Sequence, residues 1–224
     1  MKILTFDTSL NKTYITYGED EKIIISKAIN SSDEKYHSAY LVPEIINILK
    51  EQNITMQNID AIGINEGPGS FTGIRICTVI ARVAAQQLNI NVVPVPSLEI
   101  LSNINQTNKN SLVILDARKN KVYYAIYDKD NNFIKQPDSM NFEDIVELIK
   151  SNDYEIIADT SISNKLEENN VQSINYENKE YPLGEYLYKT TINKLKTSED
   201  FHWAKAKPLY IQPPSITMSK KVGA

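Results

Sequence analysis

Residues 66–76 read EGPGSFTGIRI and hold Gly67, Gly69 and Gly73, with Pro68, Ser70, Phe71 and Thr72 between them. Glycine lets a backbone approach a ligand closely, and the first N–H groups of a helix attract anions. A turn of this kind between a strand and a helix can cradle phosphate. Asp7 and Asp116 each end an apolar run and open a polar turn, DTSLNK and DARKNK. A carboxylate placed there can face a metal–nucleotide complex or bind the amides of its own turn. Against the first reading, residues 66–76 lack the Gly-Lys-Ser/Thr of a P-loop. Neither Asp turn contains glycine, and residues 103–202 hold a single one, Gly184. We therefore read Asp7 and Asp116 as turn caps. We read 66–76 as a degenerate phosphate loop whose Ser70 or Thr72 caps a helix.

Other reactive side chains are few. There are two histidines, His37 and His202, and no HxxxH, HExxH or cysteine cluster. His37 precedes a helical pattern and is read as a cap or surface residue; His202, beside Trp203, is read as packing or surface. Cys77 is the lone cysteine, set in the apolar stretch IRICTVI, and reads as a small buried hydrophobe. No G-x-S-x-G hydrolase elbow occurs.

These residues must be positioned by a chain of 224 residues, 42% hydrophobic and 23% charged, with net charge −4. That charge gives no broad basic face for a polyanion. One cysteine excludes an internal disulfide. MKILTFDTSL places Asp7 inside a strand pattern and is no signal peptide, while the most apolar run, 74–85, is broken by Arg75 and Arg82. The expectation is a cytoplasmic protein without a membrane partner.

Apolar spacing predicts strands at 2–7, 12–18 and 22–29, a helix over 39–52, and a strand at 59–64. A helix from Ser70 to about Asn89 and a strand at 91–95 follow. FDTSLNKTYITY (6–17) then aligns without a gap on LDARKNKVYYAI (115–126), pairing Asp7 with Asp116, Asn11 with Asn120, Lys12 with Lys121 and Tyr14 with Tyr123. The helix DIVELIK, the strand YEIIAD, the helix EYLYKTTINKL and a strand PLYI complete the second half. The repeat implies two similar lobes, 1–102 plus about 203–224 and 103–202. Two lobes that each begin strand–Asp–turn–strand suggest the actin and sugar-kinase ATPase superfold, made of duplicated RNase H-like lobes, with its nucleotide site degenerate. The tail IQPPSITMSKKVGA reads as an exposed end.

The helices at 39–52 and 70–88 are apolar over more of their circumference than a one-sided surface helix needs. On the first, Leu41, Ile45 and Ile48 form one stripe and Val42, Ile46 and Leu49 another. On the second, Cys77, Ile80 or Ala81, Ala84 and Leu88 form one stripe and Ile76, Val79 and Val83 another. Pro43 is expected near the first turn or at a kink. Periodicity alone does not choose between deep burial in the lobe and a spare face for another protein's helices.

GPGSFTGIRI after IDAIGIN, FDTS at the start, HSAYLVPEI between them and DARKNKVYYAIYD later resemble the TsaB (YeaZ) family. The resemblance covers nearly the whole chain and is weakest over about 129–200. It implies a catalytically silent relative of TsaD. Such a subunit dimerises with a TsaD-like catalytic subunit through a helix bundle and works with a TsaE-like ATPase. Together they place threonylcarbamoyl on N6 of adenosine 37 in tRNAs that read codons starting with A. TsaD carries a metal-binding HxxxH; the corresponding stretch here is VPSLEILS, without histidine. The resemblance thus implies no catalytic residue, no metal and no cofactor in the isolated chain, and leaves ATP or ADP at a subunit junction open. The expected partner interface is Leu41, Val42, Ile45, Leu49, Phe71, Arg75, Cys77, Ile80 and Ala84, covered by a weak homodimer when the chain is alone. Two residues depart from the family pattern: Cys77 stands where many relatives have glycine, and Gln212 replaces a common arginine. The rival reading is an ATP-dependent small-molecule kinase or a metallopeptidase of the same superfold; the glycine-free turns and missing HxxxH count against it.

Overall fold

The computed structural model of the chain describes residues 1–30, 36–197 and 200–212. The tail beyond 212 lies outside the described residues. Three strands open the fold: β1 (Lys2–Asp7), β2 (Thr13–Glu19) and β3 (Lys22–Ile29). After them come α1 (Tyr36–Glu51), β4 (Ala61–Gly67), α2 (Phe71–Leu88), β5 (Asn91–Pro96) and the short α3 (Ser97–Ser102). The second half runs β6 (Asn110–Asp116), β7 (Lys121–Tyr127), β8 (Phe133–Asn141), α4 (Phe142–Lys150), β9 (Tyr154–Ala158), α5 (Thr160–Glu168), β10 (Ile174–Asn175) and α6 (Leu183–Leu195).

The duplication read from the sequence is present in the topology. One sheet has the order β3-β2-β1-β4-β5 and the other, read from its far edge, β8-β7-β6-β9-β10. In each, the first strand pairs antiparallel with the second and parallel with the fourth. The central strands are apolar because both faces are covered: Ile3, Leu4 and Phe6 in β1, and Leu112, Val113 and Ile114 in β6, are buried. The edge strand β3 instead alternates between exposed and half-buried positions.

The elements stack in five layers. α1 and α2 cover the outer face of the first sheet through Leu41, Ile45, Ile48, Cys77, Ala81 and Ala85. α4 and α5 cover the outer face of the second through Ile145, Val146, Ile149, Ile162 and Leu166. α3 and α6 lie between the sheets in a core that joins Leu10, Tyr14 and Val95 of the first lobe to Leu115, Tyr127 and Ile157 of the second. This is the two-lobed actin-like architecture expected from the repeat.

The middle layer joins the two lobes. α6, placed by sequence order with 103–202, packs on strands of the first sheet. Gly63 makes this possible: a Cβ there would collide with the Thr191 side chain. The 3-10 turn Trp203–Lys205 packs on α2 of the first lobe.

One local expectation is corrected, and β8, α5 and the short α3 and β10 are elements the spacing did not predict. PLYI (208–211) is not a strand; Pro208 has no N–H to donate, and the segment is tied to β4 by the Leu209 N–H donating to the Glu66 carbonyl. β8 was not anticipated, because FIKQPDSMN does not alternate; it is an edge strand containing Pro137, and its pairing register shifts twice. α5 was not anticipated either, since TSISNKLEE is rich in turn formers. Asp159 caps it by accepting from the Ile162 N–H at 2.8 Å. Pro43 lies inside α1, beyond the first turn, on its exposed side.

Candidate functional site

The glycine stretch folds onto the β1–β2 turn. Asp7, buried at the end of β1, accepts from the Ser9 N–H at 2.7 Å and the Ser9 hydroxyl at 2.6 Å. Asp116 repeats the bond in the second lobe, accepting from the Arg118 N–H at 3.0 Å. Both aspartates therefore cap their own turns. Burial pushes the Asp7 carboxyl above its usual range; the Ser9 hydroxyl and amide, then Asn65, pull it back.

Three of the loop's donors are engaged by the chain itself, while the N–H groups of Gly69, Phe71 and Thr72 have no partner among the described residues. Gly67 N–H donates to Asn65 Oδ1 at 2.8 Å, Ser70 N–H to the Ser9 carbonyl at 2.9 Å, and Gly73 N–H to Ser70 Oγ at 3.3 Å. Ser70, rather than Thr72, is the cap of α2. Thr8 Oγ1 returns a bond to the Gly73 carbonyl at 2.9 Å. A side chain at residue 73 would collide with the Thr8 carbonyl, and one at 69 would come within 2.6 Å of the Ser9 carbonyl. Two of the three glycines thus serve the approach of α2 to the β1–β2 turn. Cys77 continues that contact, its Sγ 3.2 Å from Thr8 Oγ1, with its thiol pushed up to about 12 by burial.

At the C-terminal end of β4 a buried polar cluster links the layers. Ser97 Oγ donates to Asn65 Oδ1 at 2.7 Å, and Lys194 of α6 pairs with Glu99 of α3 at 3.1 Å. Glu66 lies in their field: burial raises its carboxyl to about 7, against the pull of Lys194 and with the push of Glu99. The interlobe space beside these groups is occupied by Leu10, Tyr14, Leu115, Tyr176 and Leu183, all members of one core.

The outer face of α1 and α2 is different in kind. Val42 is 41% exposed, Ile46 54%, Val79 60% and Val83 57%, with Phe71 exposed at the start of α2. Ile76, Val79, Ile80 and Val83 follow the i, i+3, i+4, i+7 spacing of one helical stripe. The duplicated lobe is an internal control. The corresponding outward residues of α4 are Glu143, Asp144, Glu147 and Lys150, and those of α5 are Ser161, Asn164, Glu167 and Glu168. At the head of the apolar stripe Arg75 lies 3.7 Å over the Phe71 ring and donates from Nε to the Tyr210 hydroxyl at 2.9 Å.

Of the expected interface residues, Val42, Phe71 and Arg75 are exposed, and Ile80 and Ala84 are half-buried beside them. Leu41, Ile45, Leu49 and Cys77 are corrected: all are buried in the lobe's own core, because the sheet lies against that side of each helix. Ile46, Val79 and Val83 were seen as stripe members and left out of the interface; comparing the outward faces of the duplicated helices would have selected them. Tyr210 carried no local signal, since its partner Arg75 is distant in sequence, and the contact of Asn65 with Ser97 is likewise made only in the fold. Gln212 has its amide nitrogen buried without a partner among the described residues. His202 is exposed and accepts from the Ala204 N–H at 3.3 Å; His37 falls in the first turn of α1.

A family model described as TsaD, tRNA N6-adenosine threonylcarbamoyltransferase, matches residues 24–177. A Bacillus subtilis protein named tRNA threonylcarbamoyladenosine biosynthesis protein TsaB is 32% identical over 174 residues, covering 74% of this chain and 75% of that protein. A protein of the same name from Buchnera aphidicola of Acyrthosiphon pisum is 27% identical over 59% of this chain and 60% of its own length. Among solved structures, a Pseudomonas aeruginosa protein described as similar to peptidase YeaZ superposes with a TM-score of 0.79 at 20% identity, covering 94% of this chain and 99% of that one. That likeness concerns the fold.

Proposed function

The chain belongs to the TsaB family of tRNA threonylcarbamoyladenosine biosynthesis proteins, and from that membership we propose that it acts as a non-catalytic subunit. In this reading it docks on a TsaD-like catalytic subunit through the outer face of α1 and α2, works with a TsaE-like ATPase, and meets tRNA as part of that complex. The contrast between the duplicated lobes carries the proposal. One pair of outer helices presents Val42, Ile46, Val79 and Val83, and the other pair presents charged and polar side chains. Contiguous exposed apolar stripes on neighbouring helices mark protein interaction sites. Two helices from each subunit make a four-helix bundle, and a standard interface needs roughly 800 Å² per partner. The same face would pair two copies weakly when the partner is absent.

The non-catalytic part of the proposal draws support from the loop and the cleft. Of the loop's N–H groups, those of Gly67, Ser70 and Gly73 are engaged by Asn65, Ser9 and the Ser70 hydroxyl. The space between the lobes is filled by side chains of a shared core.

The test is a reconstitution. The chain, a TsaD-like subunit and a TsaE-like ATPase from the same source are purified separately and assayed for tRNA modification, alone and combined. Modification is expected only with the full set, together with a stable complex between this chain and the TsaD-like subunit. Modification or metal-dependent hydrolysis by this chain alone would restore the enzyme reading.

A further inference from the structure

The β6–β7 turn, which the docking and cleft arguments leave unused, is unlike any other in the chain. Its residues 118–121 read Arg-Lys-Asn-Lys, and no other four-residue window of the sequence holds three cations. All four residues are exposed. Among the described residues Arg118, Lys119 and Lys121 form no ion pair. The neighbouring acids are engaged by the turn itself: Asp116 accepts from the Arg118 N–H, and Glu143 accepts from Asn120 Nδ2 at 2.6 Å.

The backbone sharpens the point. Arg118, Lys119 and Asn120 have φ of 62°, 49° and 60°, three left-handed residues in succession. Glycine and asparagine take this region most readily, and arginine and lysine pay for it in strain. Strain of this kind is retained where the side chains serve a purpose beyond folding. The N–H groups of Lys119 and Asn120 also have no partner among the described residues and lie beside the three cations. Paired backbone N–H groups flanked by cations form a receptor for phosphate oxygens. The first-lobe counterpart lacks this character: Lys12, aligned with Lys121, is paired with Glu180 at 2.8 Å.

We infer that the turn 118–121 contacts the phosphate backbone of RNA, and that it is one of the points at which the complex grips tRNA. The inference rests on the function proposed above and names a surface for it. The net charge of −4 excludes a broad basic face but not a single three-cation contact.

The test separates a role in folding from a role in binding. A variant carrying Arg118→Gly, Lys119→Gly and Lys121→Gln relieves the strained backbone and removes the cations. It is expected to be at least as stable to heat as the native chain and to form the complex with the TsaD-like subunit unchanged. The complex built with it should bind unmodified tRNA roughly tenfold or more weakly at low salt, with the slope of log K against log salt reduced by about two. Equal affinity and equal slope for the variant and native complexes would overturn the assignment of this turn while leaving the family function intact. Loss of complex formation would also overturn it, by making the turn a protein contact. If the native complex binds no tRNA at all, the proposed function itself fails.

Discussion

A glycine can be present for a ligand or for a neighbour, and at two positions of the motif at 66–76 the space that a side chain would need decides for the neighbour. Gly69 and Gly73 stand against the carbonyls of Ser9 and Thr8, so the loop closes on its own chain. Glu66, just before them, carries the clearest titration in the site. Its carboxyl is raised by burial from 4.5 to about 7. The folded form therefore keeps a proton that the unfolded chain releases, and stability should fall as pH rises from about 4.5 to about 7, then level off. Asp7, also raised by burial, acts in the same direction. The exposed acids whose ranges are lowered, such as Glu21 and Glu180, titrate below this window. We expect roughly 1–3 kcal/mol less stability at pH 8 than at pH 5 from Glu66. Glu66→Gln should flatten the curve in denaturant unfolding across that range; an unchanged curve would assign the slope elsewhere. The motif and the turn caps could be recognised in the sequence because they are local. Which donors remain free could not, since Ser9 and Ser70 lie 61 positions apart and meet only in the fold.

The helices show where pattern reading succeeds and where it stops. The surplus apolar circumference of 39–52 and 70–88 was visible, and so were the stripes. Which stripe faces the sheet was not, because an amphipathic helix with two apolar faces has no sequence sign of direction. The structure divides the expected second stripe of α1, leaving Val42 and Ile46 exposed and burying Leu49. Substitutions follow that division. Ile46→Glu and Val79→Glu should leave the chain folded, since both positions are more than half exposed. They should weaken association with the TsaD-like subunit by several kcal/mol, because a carboxylate in a dry interface has no partner. Leu41→Glu or Ile45→Glu should instead yield insoluble protein, as the charge enters the core of the first lobe. Circular dichroism and a pull-down against the catalytic subunit distinguish the outcomes. If Val79→Glu and Ile46→Glu both bind as the native chain does, the docking face lies elsewhere.

At the scale of the molecule, the repeat announced two lobes and the structure joins them more tightly than two lobes require. α6 belongs to the second half of the chain yet packs on the first sheet, with Tyr188 donating to the Asp20 carbonyl at 2.9 Å. One core passes from Leu10 and Tyr14 through α3 and α6 to Leu115 and Ile157. The alignment of 6–17 with 115–126 could not foresee this crossing, because a helix that changes lobes still reads as an ordinary amphipathic segment. An open cleft would let each lobe unfold alone and would leave room for a nucleotide; a shared core opposes both. Trp203, the single tryptophan, packs with the outer core of the first lobe and reports on it alone. Far-ultraviolet dichroism reports on both sheets. In a urea titration the two signals should therefore give the same midpoint and slope, as a two-state transition requires. Millimolar Mg-ATP should leave that midpoint in place, whereas a ligand held at 100 times its Kd would add about 2.7 kcal/mol. Separate midpoints would show the lobes to be independent, and an upward shift with Mg-ATP would show that the chain still holds a nucleotide.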